Sequence, residues 1–147
     1  MKAFTILLLL TMQLSFAQQN EITFNHVALG VSDLEASTDF YTQILGIDRI
    51  PDPTNNEMIR WFALGEGKEL HLVSTPEEFV RPPRQTHFAI STAAFDEFVR
   101  RLRQKDVPFV DWEGKPNTVY LRPDGVRQIY LQDPDGYWIE VNSFTKE

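Results

Sequence analysis

Two stretches of this chain repeat one another, and that repeat restricts the fold more than any other feature. Asn25-His-Val-Ala-Leu-Gly-Val31 leads into the polar-apolar stretch from Ser32 to Gly46. Thr86-His-Phe-Ala-Ile-Ser-Thr92 leads into a similar stretch from Ala93 to Lys105. The two opening histidines, His26 and His87, are 61 positions apart (87 − 26). Each apolar run has the length and alternation of a strand, and each following stretch has helical periodicity. Ser32 with Glu35 three residues on predicts a capping-box start, Leu34, Tyr41, Ile44 and Leu45 share a face, and Gly46 predicts the stop. In the second copy Phe95, Phe98, Val99 and Leu102 form the i, i+3, i+4, i+7 stripe, and Lys105, Asp106 and Pro108 end it.

The remainder of each copy also corresponds. Arg60 to Leu64, the turn Gly65-Glu-Gly67 and Lys68 to Val73 read as strand, turn, strand. Gln128 to Leu131, Asp133-Pro-Asp-Gly136 and Tyr137 to Val141 read the same way. Each half is therefore β-α-β-β-β, and Thr75 to Gln85, with Pro76, Pro82 and Pro83, connects them. A unit of this length in only two copies does not suit a solenoid. The expected fold class is α+β: two paired βαβββ modules in one domain, module one about 22–75 and module two about 84–144.

Strand residues alternate faces, so a module that packs its apolar residues under its helix turns the other set outward on a concave face. That second set holds His26 on one strand and His71 with Glu69 on another. In the second module it holds His87, then Trp138, Glu140 and Asn142. If the first and last strands of each module are neighbours, each module offers two ligands. His26, His71, His87 and Glu140 are thus the candidate metal ligands, 71 and 140 being 69 positions apart (140 − 71). Imidazole and carboxylate suit a divalent ion such as Zn, Ni, Mn, Fe or Co. His71 has two readings, ligand or pocket lining.

Composition narrows the setting. The chain has no cysteine, which excludes disulfides and thiolate metal sites. Against 14 Lys and Arg stand 21 Asp and Glu, a net charge of −7 that disfavours nucleic acid as a partner. Lys2, the apolar run from Ala3 to Met12 and the small-x-small pattern Ser15-Phe16-Ala17 read as a signal peptide over residues 1–17, cut after Ala17. Residues 18–147 then form the single domain, secreted or periplasmic, with no stable membrane anchor after cleavage.

From Ile22 to Phe144 the chain resembles the vicinal oxygen chelate superfamily, which includes glyoxalase I, fosfomycin-resistance thiol transferases, extradiol dioxygenases and bleomycin-binding proteins. The resemblance is carried by Asn25 to Val31, Asp39-Phe-Tyr-Thr-Gln-Ile-Leu-Gly46, Thr86 to Ile90 and Asp133-Pro-Asp-Gly-Tyr-Trp-Ile-Glu140. It implies paired modules around one divalent metal, with His26, His87 and Glu140 at the His, His, Glu positions. His71 falls where bacterial glyoxalases carry a Glu, and thiol transferases of the family usually lack a ligand there. Tyr130 matches a pocket tyrosine of the fosfomycin enzymes. Small members often form dimers with sites built from two chains, so a homodimer is allowed.

The favoured expectation is a lyase or isomerase of glyoxalase type acting on a small vicinal-oxygen substrate, with the metal as Lewis acid stabilising an enediolate and Glu140 as base. Tyr130, Gln128 and Trp138 are the candidate substrate-binding residues, and Arg60, Arg122 and Arg127 are weighed as anion holders. Two alternatives stay open. One is a binding protein that holds a flat ligand with Trp61, Trp112 and Trp138. The other is an iron-dependent dioxygenase, which gains if His71 is not a ligand.

Overall fold

The computed structural model describes residues 22–75 and 81–145, so the expected signal peptide, residues 1–17, lies outside the described residues. The duplication is realised strand for strand. Module one contains β1 (His26–Val31), α1 (Leu34–Asp39), β2 (Arg49–Ile50), β3 (Ile59–Gly65) and β4 (Lys68–Ser74). Module two contains β5 (His87–Ser91), α2 (Phe95–Gln104), β6 (Tyr120–Leu121), β7 (Arg127–Gln132) and β8 (Trp138–Asn142). The sheet orders are β1-β4-β3-β2 and β5-β8-β7-β6. In each module the helical crossover brings the first strand parallel to the last, as a right-twisted strand–helix–strand unit allows. No helix among the described residues is long and apolar enough to cross a membrane.

The registers match residue by residue. Ala28 lies opposite His71 and Trp61 opposite His71 in module one. Ala89 lies opposite Glu140 and Tyr130 opposite Glu140 in module two. Trp61 and Tyr130 are therefore equivalent positions, as are His71 and Glu140.

The helical connection of module one departs from the expected single α-helix. α1 gives way to a π-helical turn over Phe40–Leu45, which ends at Gly46 in the left-handed region (φ 73°). Thr38 and Thr42 hydroxyls donate to the carbonyls of Leu34 and Thr38, at 2.6 and 2.9 Å. These bonds compete for the acceptors of the ordinary helical ladder and favour its widening. The N-cap is also one residue later than the capping box predicts. Asp33, not Ser32, accepts from the amides of Glu35 and Ala36. Ser32 is taken by the other module: its amide and hydroxyl donate to Asp135 Oδ1 at 2.9 and 2.6 Å.

One apolar core runs through both modules. It includes Leu29, Val31, Phe62, Leu70 and Leu72 from the first sheet, and Ile129, Leu131, Ile139 and Val141 from the second. All four residues of the α2 stripe are buried in it. Polar side chains join the modules. Tyr41 donates to Asp133 Oδ2 at 2.9 Å, Ser37 donates to Asp135 Oδ2 at 3.0 Å, and Arg101 donates to the Ile44 carbonyl at 3.1 Å.

Candidate metal and substrate site

The side chains that alternate away from this core form two concave faces. In module two the face is roofed. The segment after α2 bridges to β7 through Val110 and Tyr130, and carries Trp112 across the Tyr130 ring at a centroid distance of 5.8 Å. Gln128, Tyr130, Glu140 and Asn142 are buried there although polar. Burial on this scale requires partners, and they form one chain. Gln128 Nε2 donates to Tyr130 Oη (2.7 Å), Tyr130 donates to Glu140 Oε2 (2.6 Å), and Asn142 Nδ2 donates to Glu140 Oε1 (2.8 Å). Burial and the Glu140 carboxylate push the Tyr130 hydroxyl well above its usual value, with the Arg84 and Arg122 charges opposing, so it remains a donor.

His87 completes this half. Its Nδ1 lies 2.8 Å from the Arg84 carbonyl, which can only accept, so Nδ1 carries the proton. In the neutral ring Nε2 is then a bare lone pair, and it faces Glu140 Oε2 at 3.5 Å. A ring nitrogen facing a carboxylate oxygen at this distance accommodates either a proton shared between them or a metal ion beside them. A histidine whose other nitrogen is held by a backbone carbonyl is how proteins orient a metal-binding imidazole. The donor chemistry therefore fits a divalent ion. A cavity of about 380 Å³, lined by His87, Trp112, Tyr120, Arg122, Tyr130 and Glu140 among others, opens beside the pair.

The equivalent face of module one is open. His26 is exposed, with Nδ1 2.7 Å from Asn25 Oδ1, which leaves Nε2 free. His71 lies between two rings: Trp61 at 3.8 Å and His26 at 4.5 Å, the latter pair within 17° of parallel. Its Nε2 is 2.9 Å from the Glu69 carboxylate, which accepts, so this nitrogen carries the proton. Imidazole lone pairs lie in the ring plane, so stacked His26 and His71 do not aim at a common point. Trp61 Nε1 is buried without a hydrogen-bond acceptor.

The four expected ligands are thus brought together as two pairs, His26 with His71 and His87 with Glu140. Among the described residues no group of three or more His, Cys, Asp or Glu side chains gathers to hold an ion within one chain. Of the expected substrate residues, Tyr130 and Gln128 line the cavity, and Trp138 stands beside it beneath Arg84. Arg60 pairs with Glu35, and Arg127 pairs with Asp96 and lies over Phe95 on the helix side, so neither faces the cavity. Arg122 lines it but pairs with Asp124. Sequence reading missed Arg84, and it placed Glu69 and Asn142 on the right faces without their roles, the one bonded to His71 and the other to Glu140. Asn142 shares the Glu140 face and was legible there, whereas Arg84 acts through its backbone carbonyl, which leaves no mark in a sequence.

Comparison with known proteins agrees with this architecture. The family model for the Glyoxalase/Bleomycin resistance protein/Dioxygenase superfamily matches residues 23–141. A Staphylococcus epidermidis relative named metallothiol transferase FosB is 28% identical over 132 residues, covering 85% of this chain and 84% of its own. The crystal structure of a glyoxalase family protein from Bacillus anthracis superposes with a TM-score of 0.67 at 28% identity, covering 86% of this chain and 99% of its own. The structure named oxidase ChaP-H1 superposes with a TM-score of 0.66 at 25% identity, covering 85% and 98%. With its duplicated modules, their matched registers and this family match in agreement, the chain belongs to the Glyoxalase/Bleomycin resistance protein/Dioxygenase superfamily, also called the vicinal oxygen chelate superfamily.

Proposed function

We propose that this chain is an exported, metal-dependent lyase or isomerase of glyoxalase type that works as a homodimer on a small substrate with two neighbouring oxygens. The observation that carries the reading is the facing pair of His87 Nε2 and Glu140 Oε2, 3.5 Å apart beside a cavity, with the histidine proton fixed on the far nitrogen. His26 of a second copy supplies the third ligand. Support for that pairing comes from module one, whose face holds an exposed His26 and nearby Phe24 at 58% exposure. Uncovered apolar surface around free polar groups suits a face that another chain covers.

An ion held by His26, His87 and Glu140 supplies Lewis-acid chemistry toward the paired substrate oxygens when bound. The protein's own groups do the rest. Glu140 takes the proton from the carbon next to the carbonyl and returns it to the neighbouring carbon. Asn142 and Tyr130, one on each carboxylate oxygen, hold Glu140 in place for both transfers. Trp112 and the segment bridging to Tyr130 cover the Tyr130 end of the face. His71, tied to Glu69, forms the wall.

One observation favours a second reading. With His71 tied to Glu69 and stacked flat on His26, the ligand set reduces to two histidines and one carboxylate. That set also suits ferrous iron with open positions, as in a dioxygenase, and one structural neighbour is named an oxidase.

Elemental analysis of the purified mature protein, wild type beside His87→Ala, tests the metal. We expect one divalent ion per chain in the wild type and its loss in the variant; a wild type that takes up no ion when offered excess Zn, Ni, Mn, Fe or Co overturns the proposal. Mixing His26→Ala with Glu140→Gln tests the pairing, because only a site shared between copies regains metal in mixed dimers. Hemithioacetal turnover against oxygen uptake with catechols, after anaerobic iron loading, separates the two reactions. Secretion with a mature N-terminus at Gln18 is the expected result for export.

A further inference from the structure

A tyrosine hydroxyl carries one proton, and where that proton goes fixes what the next group must offer. Tyr130 gives its proton to the Glu140 carboxylate, which only accepts. Its oxygen is therefore left to accept from Gln128, 2.7 Å away. The amide must turn Nε2 toward Tyr130, so the orientation of Gln128 is dictated by the bonding around it. The same bond fixes its carbonyl oxygen, Oε1, at the other branch of the amide.

Oε1 accepts from no group among the described residues. Nor is it sealed in the core. Among the described residues the buried side-chain atoms without a partner are nitrogens of Arg60, Trp61 and Arg101, and no oxygen is among them. Gln128 is only 5% exposed and lines the cavity beside Glu140, so Oε1 is the polar atom it shows there. Tyr120 lies opposite Gln128 on β6, and Tyr120, Trp112 and Pro123 wall the cavity. Arg122 lines it too, but its charge is taken by Asp124. Gln128 and Tyr130 are two positions apart on β7, about 7 Å along a strand. A single ring spans that separation. An acceptor held this way distinguishes ligands, because an apolar group pressed against it strips its water and returns no bond.

We infer that Gln128 is a specificity-determining residue whose carbonyl oxygen accepts from a hydroxyl or N–H on the substrate, one ring away from its two neighbouring oxygens. Substrates with a donor at that position are preferred over their ethers. The inference rests on the proposed function for placing the oxygen pair at the Glu140 end, but the acceptor itself needs no metal.

The test uses the full mature protein, treated with chelator, and saturation-transfer NMR titrations with phenol and with anisole. The two probes share a ring and differ in the donor. Phenol is expected to bind the wild type about fivefold more tightly than anisole, the effect of one neutral hydrogen bond. Gln128→Met should abolish that preference, and Gln128→Leu serves if the Met variant folds poorly by circular dichroism. Tyr130→Phe should abolish it as well, with Gln128 intact, because the freed amide can turn either end to the ligand. Absence of measurable phenol binding, no preference in the wild type, or a preference that survives in a folded Gln128 variant or in Tyr130→Phe overturns the inference. A separate titration of metal-loaded protein with catechol reads the metal site alone. Phenol preference without metal-dependent catechol binding upholds the role of Gln128 and sinks the metal reading; the reverse pattern does the opposite.

Discussion

The Tyr130 hydroxyl is the residue on which the buried polar chain turns. It accepts from Gln128 and donates to Glu140, so a phenylalanine there removes a bond to a carboxylate and leaves Gln128 Nε2 without its acceptor. Losing a hydrogen bond to a charged group costs about 1.5–3 kcal/mol, and Tyr130→Phe should lose about that much in urea unfolding at pH 8. The pH dependence has a definite sign. The folded hydroxyl ionises above the unfolded value of about 10. Its contribution is therefore complete below pH 10 and is lost as pH rises through the folded value. The gap between wild type and Tyr130→Phe should narrow above pH 10; a gap that widens there would contradict the donor role.

At the level of elements, the two helices show how far local periodicity carries. The α2 stripe is buried as spaced, with Asp96 and Glu97 in its first turn and Arg101 and Arg103 in its last, which suits the helix dipole. The start of α1 is different, because its first residues serve a distant element. Ser32 has the chemistry of a cap, but Asp135 takes its amide and its hydroxyl, and Asp33 caps instead. No local rule ranks Ser32 below Asp33; the choice is made 103 positions away along the chain. Asp33→Ala should therefore lower the melting temperature by an amount equivalent to about 1 kcal/mol. Loss of stability with Ser32→Ala but none with Asp33→Ala would restore the capping-box assignment.

Across the whole molecule, the Asp133-Pro-Asp-Gly136 hairpin acts as a latch between modules. Asp135 holds Ser32 and Ser37, and Asp133 holds Tyr41. Burial, joined by the Asp135 charge, raises the Asp133 carboxyl above its usual value against the hydrogen bonds that lower it. A carboxyl raised on folding stabilises most below its unfolded value of about 3.9, and that contribution is lost as pH rises through the folded value. Asp133→Asn, which cannot ionise, should gain on the wild type in thermal unfolding between pH 4 and pH 7. A wild type that gains on the variant over that range would refute the burial account of the latch.

Much of the fold and half of the site were legible in the amino-acid order, because alternation and helical spacing are local and the duplication states them twice. They determined the βαβββ modules and the alternation that turns His26, His71, His87 and Glu140 away from the apolar set, whereas the parallel pairing of first and last strands came from the structure. Only tertiary structure decided how those faces are used. The roof over Tyr130, the stacking of His71 on Trp61 and the Arg84 carbonyl that orients His87 join residues whose meeting depends on strand registers and loop paths. For the same reason the four expected ligands divide into two pairs. Which module faces which is set by long-range contacts such as Tyr41 with Asp133, and no periodicity within a strand or a helix records them.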